Sequence, residues 1–487
     1  MKTLIEKELK SIILSPKFVA TFSVCSILIL LSIFVGIQEY QAAVRQYEAA
    51  NELLVQQLRE QSSFMGLSTR VYREPDPMQI FVSGVNYDLG RLSNINSFNS
   101  VKLTNSVYSD DPIFAAFRFI DFTFIVQIVL SLFAILFTYD AINGEREDGT
   151  LKLIFSNAVP RTQYILSKFL GSWLGLGIPL LIPVMLGLLL LMVFKVPVTE
   201  THWTKITILL ASSLLYFTFF IAFGILVSAL THRSTVSFLF CLVVWVTFVL
   251  IVPRAGVMAA GQMISVPSVA EIEGQQDGFQ KARWKQYTDK LEERWRSRNL
   301  DMEAMDAGDR DAYREEHLWS WMEEDDAERK DVQQDIDAFS RKLTEELRNR
   351  KAEQKRLAFT FSRLSPASAY QLTAMDLAGT NIDLKTRYED AMQQYRSDFT
   401  EYREKKQKES GGHGGIRISI DSDTGFKMST GRDKGTLDFS DMPRFETPKH
   451  ALSDAIVPTI TGMGLLSLYS LAAFAGAFVV FLRYDVR

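Results

Sequence analysis

The sequence predicts an all-α polytopic membrane protein, with six transmembrane helices and a mainly helical extracytoplasmic domain that carries a small β element. Three observations predict it. Residues 18–37, 119–139, 166–194, 206–230, 234–252 and 456–482 hold few or no charges. Charge concentrates instead in 271–409, so the chain-wide charged fraction of 23% averages two unlike populations. Lys and Arg cluster in alternate connections. An uncharged apolar run of about 20 residues matches about 30 Å of hydrocarbon, where backbone groups must bond to one another, so each run is a helix.

The N-terminus, residues 1–17, places Leu4, Ile5, Leu9, Ile12 and Ile13 on one face with lysines opposite. That pattern predicts an amphipathic helix lying on the membrane surface. The run 18–37 exceeds the roughly 7–15 residues of a signal-peptide core, so it reads as a retained first span.

Orientation follows from short loops, whose Lys and Arg stay in the cytoplasm. The N-terminus carries Lys2, Lys7, Lys10 and Lys17. The connection 140–165 carries Arg146, Lys152 and Arg161, the turn before span five carries Arg233, and the chain closes on Arg483 and Arg487. With six spans all four lie on one side, so both termini are expected in the cytoplasm of a bacterial inner membrane. Segments 38–118 and 253–455 are then extracytoplasmic. The loop after span three, with Lys195 and Lys205, opposes this only weakly.

Past span one, Tyr40, Val44, Tyr47, Leu54 and Leu58 continue a three-and-four spacing, which predicts a stalk helix with one apolar face. Residues 71–113 are rich in Pro, Gly, Asn and Ser and read as compact irregular structure. The segment 253–455 is long enough for a domain of its own. It shows three stripes at helical spacing: Trp284, Tyr287, Leu291 and Trp295; then Val332, Ile336, Phe339, Leu343 and Leu347; then Leu384, Tyr388, Met392, Tyr395, Phe399 and Tyr402. The three together suggest one helical bundle; the aromatic stripes suit core packing or a ligand groove. Between the second and third, Ser365 suits a helix cap, Pro366 a first turn and Gly379 a helix end. The small and apolar residues between them suit the membrane interface. Gly411–Gly415 predicts a flexible break, with His413 unaccompanied by any metal-ligand partner, and Ile416, Ile418 and Ile420 alternate as a strand of a small pair.

The stretch from Gly144 to Phe169 carries most functional information. It begins with Glu145, Glu147 and Asp148, where negative charge suits a helix N-terminus. Gly149 permits a tight approach or turn, Leu151, Leu153 and Ile154 offer an apolar docking face, and a Pro160-Arg161 break leads into span three. A short rigid helix of this kind can transmit a push from a soluble partner. On Glu145, Glu147, Gly149, Thr150, Arg161, Lys168 and Gly171, the stretch resembles the coupling-helix region of type-2 ABC exporter permeases, with Ile154 and Phe155 in place of a more usual Leu pair. The run from Ser365 to Thr380 resembles a segment of the subgroup with a large domain between spans five and six, related to copper-enzyme maturation and gliding-motility permeases.

The resemblance implies a non-catalytic permease, with no cofactor bound directly and ATP and Mg held by a separate ABC ATPase dimer. A second permease chain, identical or paralogous, completes the assembly. The chain itself contains no G-x-x-x-x-G-K-[ST] phosphate loop. Export and mechanical movement of the outer domain both stay open, as does an extracytoplasmic protein partner. The alternative is a membrane-anchored scaffold or sensor without an ATPase. An intramembrane enzyme would need paired ionisable groups inside the spans. Only Asp121, readable as a local partner of Arg118, and Gln127, readable as a pathway, dimer-interface or helix-packing residue, come near. Cys25 and Cys241 fall inside spans and read as small apolar packers. The net charge of −4 argues against a nucleic-acid binder, which usually shows a basic patch. Pro179 and Pro183 are expected to kink span three.

Overall fold

The computed structural model describes residues 1–59, 67–96, 101–110, 120–157, 159–409, 416–421, 425–430 and 439–483. Six of its helices are long and apolar enough to cross a membrane: Pro16–Arg59, Phe122–Glu147, Arg161–Val193, Glu200–Leu230, Ser234–Met263 and Leu452–Leu482. The predicted spans are therefore all present. The chain is an all-α polytopic membrane protein with two small antiparallel sheets. It divides into two compact units, one formed by Met1–Ile251 with Ser365–Arg487, the other by Val252–Leu364.

The first unit opens with α1 (Lys2–Ile13) and α2 (Pro16–Arg59). α3 (122–138) follows, then the short α4 (Asn143–Glu147) and α5 (Thr150–Ser156). The spans α6 (Arg161–Val193) and α7 (Glu200–Leu230) come next, with Pro179 and Pro183 inside the continuous α6. α3 contains a first π-helical stretch, Ile125–Leu130, and α8 (Ser234–Trp245) runs on into a second, Val246–Ile251. A π turn carries one residue more than an α turn and appears mostly as an isolated bulge.

α1 does not only lie flat. It packs along α6, burying Glu8 and Ile12. Gly171 permits this contact, because a Cβ there would sit 2.5 Å from the Glu8 Cβ. α7 is the centre of the bundle and packs most extensively on the last span, α14 (Leu452–Leu482). Cys25 and Cys241 are buried free thiols.

α12 (Pro366–Ala378) is capped as its sequence predicts. The Ser365 hydroxyl accepts from the Ala367 and Ser368 N–H groups, Pro366 opens the first turn, and Gly379 ends it at φ 72°. Its position corrects the interfacial expectation. Tyr370, Ala374 and Leu377 are fully buried, and the helix packs against α7, α14 and both π stretches. The Tyr370 ring stacks on Tyr216 at 4.9 Å, and its hydroxyl lies 2.9 Å from that of Ser213. The Ser365 hydroxyl also donates to the Phe248 carbonyl, an acceptor inside the second π stretch.

A separate core stands beyond the bundle. The segment read as irregular contains a two-stranded sheet, β1 (Thr69–Tyr72) against β2 (Leu92–Ile95). Leu58 of α2 with Leu67, Val71 and Ile95 packs against Leu384, Tyr388, Met392, Tyr395 and Phe399 of α13 (Asp383–Glu409). The third stripe is thus core, and it belongs with the stalk rather than with the first two stripes. The expected strand pair is present as β3 (Ile416–Asp421) and β4 (Gly425–Thr430), with Ile416 opposite Thr430. The glycine break that holds His413 lies outside the described residues.

The second unit contains the short α9 (Val252–Met263) and an antiparallel pair, α10 (Val269–Glu303) and α11 (Ala307–Ser362). Here the first two stripes meet. Phe279 stacks on Phe339 at 4.1 Å, and the Arg298 guanidinium sits between Trp295 and Trp321 at 5.4 and 5.0 Å. Arg294 and Arg298 pair with Glu324 and Asp325. The three-stripe bundle is corrected to a two-helix pair plus a stalk-bound third helix, because an amphipathic stripe specifies that it has a partner and not which one.

This division predicts the behaviour of fragments. Residues 268–362 alone are expected to be helical and monomeric by circular dichroism and size exclusion. Extending the fragment to 409 adds Tyr388, Met392 and Phe399 without Leu58, Val71 and Ile95, and is expected to cause self-association. A disordered 268–362 beside a monomeric, helical 268–409 would return the third stripe to the hairpin.

Candidate functional site

The connection between α3 and α6 is a pair of short helices at the end of the bundle that carries α1. Gly149 joins α4 to α5 in the left-handed region, at φ 74°. Nothing lies within 4 Å of a Cβ built there, so within this chain the glycine serves the turn.

Glu145 turns into the protein, while Glu147 is exposed and finds its partner at the surface. One Glu145 carboxylate oxygen lies 2.6 Å from the Lys7 ammonium and 2.9 Å from that of Lys168. The other accepts from the Tyr164 hydroxyl at 2.5 Å. Lys168 also reaches Glu8 at 2.9 Å, and its side chain is only 4% exposed. Two carboxylates thus share one buried ammonium, which ties α1, α4 and α6 together. Glu147 accepts from the Ser234 N–H at 2.9 Å and its hydroxyl at 2.8 Å. It therefore places negative charge at the N-terminus of α8, where the helix dipole favours it.

Asn143 completes the joint. Its amide donates to the Thr231 hydroxyl at 2.9 Å, and its oxygen accepts from the Ser228 hydroxyl at 3.1 Å. Arg161 donates to the Leu482 carbonyl at 2.6 Å, satisfying the open C-terminus of α14. Beside it, Tyr164 stacks on Phe481 at 5.0 Å. The Thr150 hydroxyl donates to the Glu145 carbonyl at 3.2 Å, across the Gly149 turn.

The apolar residues divide. Leu151 is buried at 1% exposure, Ile154 is half-buried against the bundle, and Leu153 is 66% exposed. With Lys152, Ser156 and Asn157 it forms the free face of α5. The structure therefore brings Glu145, Glu147, Gly149, Thr150, Leu151, Leu153, Ile154 and Arg161 to one end of the bundle. It gives most of them internal partners and presents Leu153 outward.

Asp121 and Gln127 lie elsewhere, at the start of α3. Asp121 caps that helix through the Phe124 N–H at 2.8 Å and takes the Ser83 N–H and hydroxyl at 2.8 and 2.7 Å. Its expected partner Arg118 lies outside the described residues. Gln127 is buried within the first π stretch, where its carbonyl accepts from the Tyr216 hydroxyl at 2.9 Å. Among the described residues no group of three His, Cys, Asp or Glu side chains converges as a metal site.

Glu8, Asn143 and Tyr164 escaped the sequence reading. Glu8 left a signal, as a carboxylate on the apolar face of α1 between Ile5 and Ile12. Tyr164, one turn before Lys168, left a weaker one.

The family model described as ABC-2 family transporter protein matches residues 2–486. The chain is 34% identical over 125 residues to the probable ABC transporter permease protein NosY of Stutzerimonas stutzeri, covering 25% of this chain and 45% of that protein. It is 43% identical over 60 residues to the protein of the same name from Pseudomonas aeruginosa, covering 12% of this chain and 22% of that one. The matched regions thus span less than half the length of either relative. With six spans and a match over nearly its whole length, the chain belongs to the ABC-2 family of transporter proteins.

Proposed function

We propose that this chain is the permease subunit of an ABC transporter in a bacterial inner membrane, and that residues 143–157 couple it to a separate cytoplasmic ATPase dimer. The observation that carries the reading is the exposed Leu153 on a hairpin that Glu145, Asn143 and Leu151 anchor to the bundle. Through Glu145, Glu147 and Asn143 the hairpin holds α1, α6 and the α7–α8 turn, and its Phe155 ring lies 6.1 Å from that of Phe481 in α14. A push on α5 therefore reaches several spans at once. Both termini are cytoplasmic in this reading, the stalk core and the α10–α11 pair are extracytoplasmic, and a second permease completes the assembly. ATP and Mg act on the partner, and the permease positions rather than catalyses.

Within this reading, mechanical transmission is favoured over solute export. α2 is one continuous helix of 44 residues from the bundle to the stalk core, about 66 Å at 1.5 Å per residue. Movement at its foot is carried to Leu58 without a joint. The printed names of the relatives say only that they are probable ABC transporter permeases.

Leu153→Glu tests the coupling. The side chain is exposed, so the fold is expected to survive, whereas Leu151→Glu would disturb the core. Losing one buried leucine contact, worth about 1.5–3 kcal/mol, weakens docking roughly 10- to 100-fold. The ATPase is expected to be lost on purification in detergent and permease-stimulated ATP hydrolysis to fall with it. Full co-purification with undiminished turnover would remove α5 from the coupling interface.

A further inference from the structure

At the end of α7 remote from the coupling hairpin, one histidine meets three helices and leads into a fourth: its ring bonds α12 and α13, and its backbone carbonyl bonds α7. His450 precedes α14 and lies against the C-terminus of α12. Its Nε2 is 2.8 Å from the Asp376 carbonyl, which can only accept, so Nε2 carries the proton. Its Nδ1 faces a guanidinium N–H of Arg387 from α13, which can only donate, so Nδ1 presents its lone pair. The two contacts together fix the neutral Nε2–H tautomer.

The same arginine donates to the Gly379 carbonyl at 2.7 Å, and the Lys205 ammonium of α7 donates to the His450 carbonyl at 3.2 Å. Gly379 sits at φ 72°, and a Cβ there would lie 2.7 Å from the imidazole Cδ2. The ring is therefore wedged into the turn between α12 and α13. The charged groups around it are Arg387 and Lys205 as cations and Asp454 of α14 as an anion. The Asp376 side chain accepts from the Asn381 amide at 2.8 Å, and Asp76 and Asp383 act on Arg387 from further off.

We propose that His450 is a proton-operated latch. As the neutral ring it fastens the segment entering the last span to the α12–α13 turn. As imidazolium it offers a proton to an arginine that has only protons to offer, and the fastening opens. Its site is half-buried, so protons reach it from solvent.

Burial, reinforced by Arg387 and Lys205, holds the ring below its ordinary value. A histidine depressed in the folded state stabilises fully above its unfolded value, about 6.5, and loses that contribution as pH falls through the folded value. The latch is therefore closed at neutral pH and opens on acidification. It joins α12, inside the bundle, to α13, inside the stalk core, so acid loosens the link between those two cores. This inference does not depend on the coupling role of α5.

Hydrogen exchange of the full-length protein in nanodiscs, corrected for intrinsic rates, tests it. Amides of 376–384 and 446–454 are expected to lose protection about tenfold per pH unit as pH falls from about 6.5 to the folded value of the ring, and to level off below it. His450→Gln supplies an N–H for the Asp376 carbonyl and an oxygen for Arg387 without titrating. It is expected to keep the protection seen at pH near 7.5 and to lose the acid response. Lys205→Met removes a neighbouring cation and is expected to move the midpoint to higher pH. Equal protection of the unaltered protein at neutral and acid pH, an acid response that survives in His450→Gln, or an unmoved midpoint in Lys205→Met would each overturn the latch.

Discussion

Lys168→Met is expected to detach the N-terminal helix while leaving the six spans in place. The Lys168 ammonium lies 2.9 Å from Glu8 and 2.9 Å from Glu145, and the three side chains are 4%, 12% and 15% exposed. Methionine fills similar space but leaves two carboxylates facing each other with one cation between them removed. Lys7 still reaches Glu145, whereas Glu8 keeps no other ion pair among the described residues. Removing one partner of a buried ion pair costs about 3–5 kcal/mol, because the remaining charge stays desolvated. The thermal midpoint of the full-length protein in detergent is expected to fall, and trypsin to cleave at Lys2, Lys7 and Lys10. Glu8→Gln in the same chain removes the stranded charge and is expected to recover more than half of the loss. Wild-type stability and protease resistance in Lys168→Met would show that the network contributes nothing to holding α1.

Gly462→Val is expected to separate α14 from α12. A Cβ at 462 would fall 1.8 Å from the Thr373 hydroxyl oxygen and 3.4 Å from the Ala369 carbonyl. Neither can step aside easily, since that hydroxyl donates to the Ala369 carbonyl at 2.7 Å. Overpacking a core commonly costs about 1–3 kcal/mol, and a β-branched side chain here belongs at the upper end. The displaced helix would carry Tyr370 away from Ser213 and Tyr216. Gly462→Ala is the milder case, and Thr373→Ala is expected to restore most of its loss by deleting the atom in the way. Gly464 is the control: nothing lies within 4 Å of a Cβ there, so Gly464→Ala is expected to be neutral or to stabilise by up to about 1 kcal/mol from helix propensity. Equal thermal midpoints for Gly462→Val and Gly464→Ala would sink the argument.

How much of this was legible in the sequence depends on the range of the contact. The spans were legible because each is a local run, and so were the Ser365 cap and the Gly379 stop. The coupling stretch was legible as a stretch. The direction its side chains face was not. α5 has only 7 residues, too few to show by periodicity that Leu151 faces in and Leu153 out. Glu145 and Glu147 read only as helix-start charges because Lys7 and Ser234, their partners, lie 138 and 87 residues away. The buried place of α12 was hidden for a related reason: small residues suit a membrane interface and a crowded helix crossing equally. The two π stretches carry no mark in the sequence that we can identify.

The bundle's central contacts also set a timetable for its synthesis. Tyr370 and Ser470 meet residues of α7 across 157 and 255 positions of chain. At about 5–20 residues per second, Leu215 leaves the ribosome roughly 13–51 s before Ser470 follows it. During that wait the face of α7 that α14 covers has no occupant. Ser213 bridges the interval on its own helix, through the Leu209 carbonyl at 2.7 Å. A ribosome stalled before Leu452 therefore holds five spans, with α12 in place and the α14 side of α7 still uncovered.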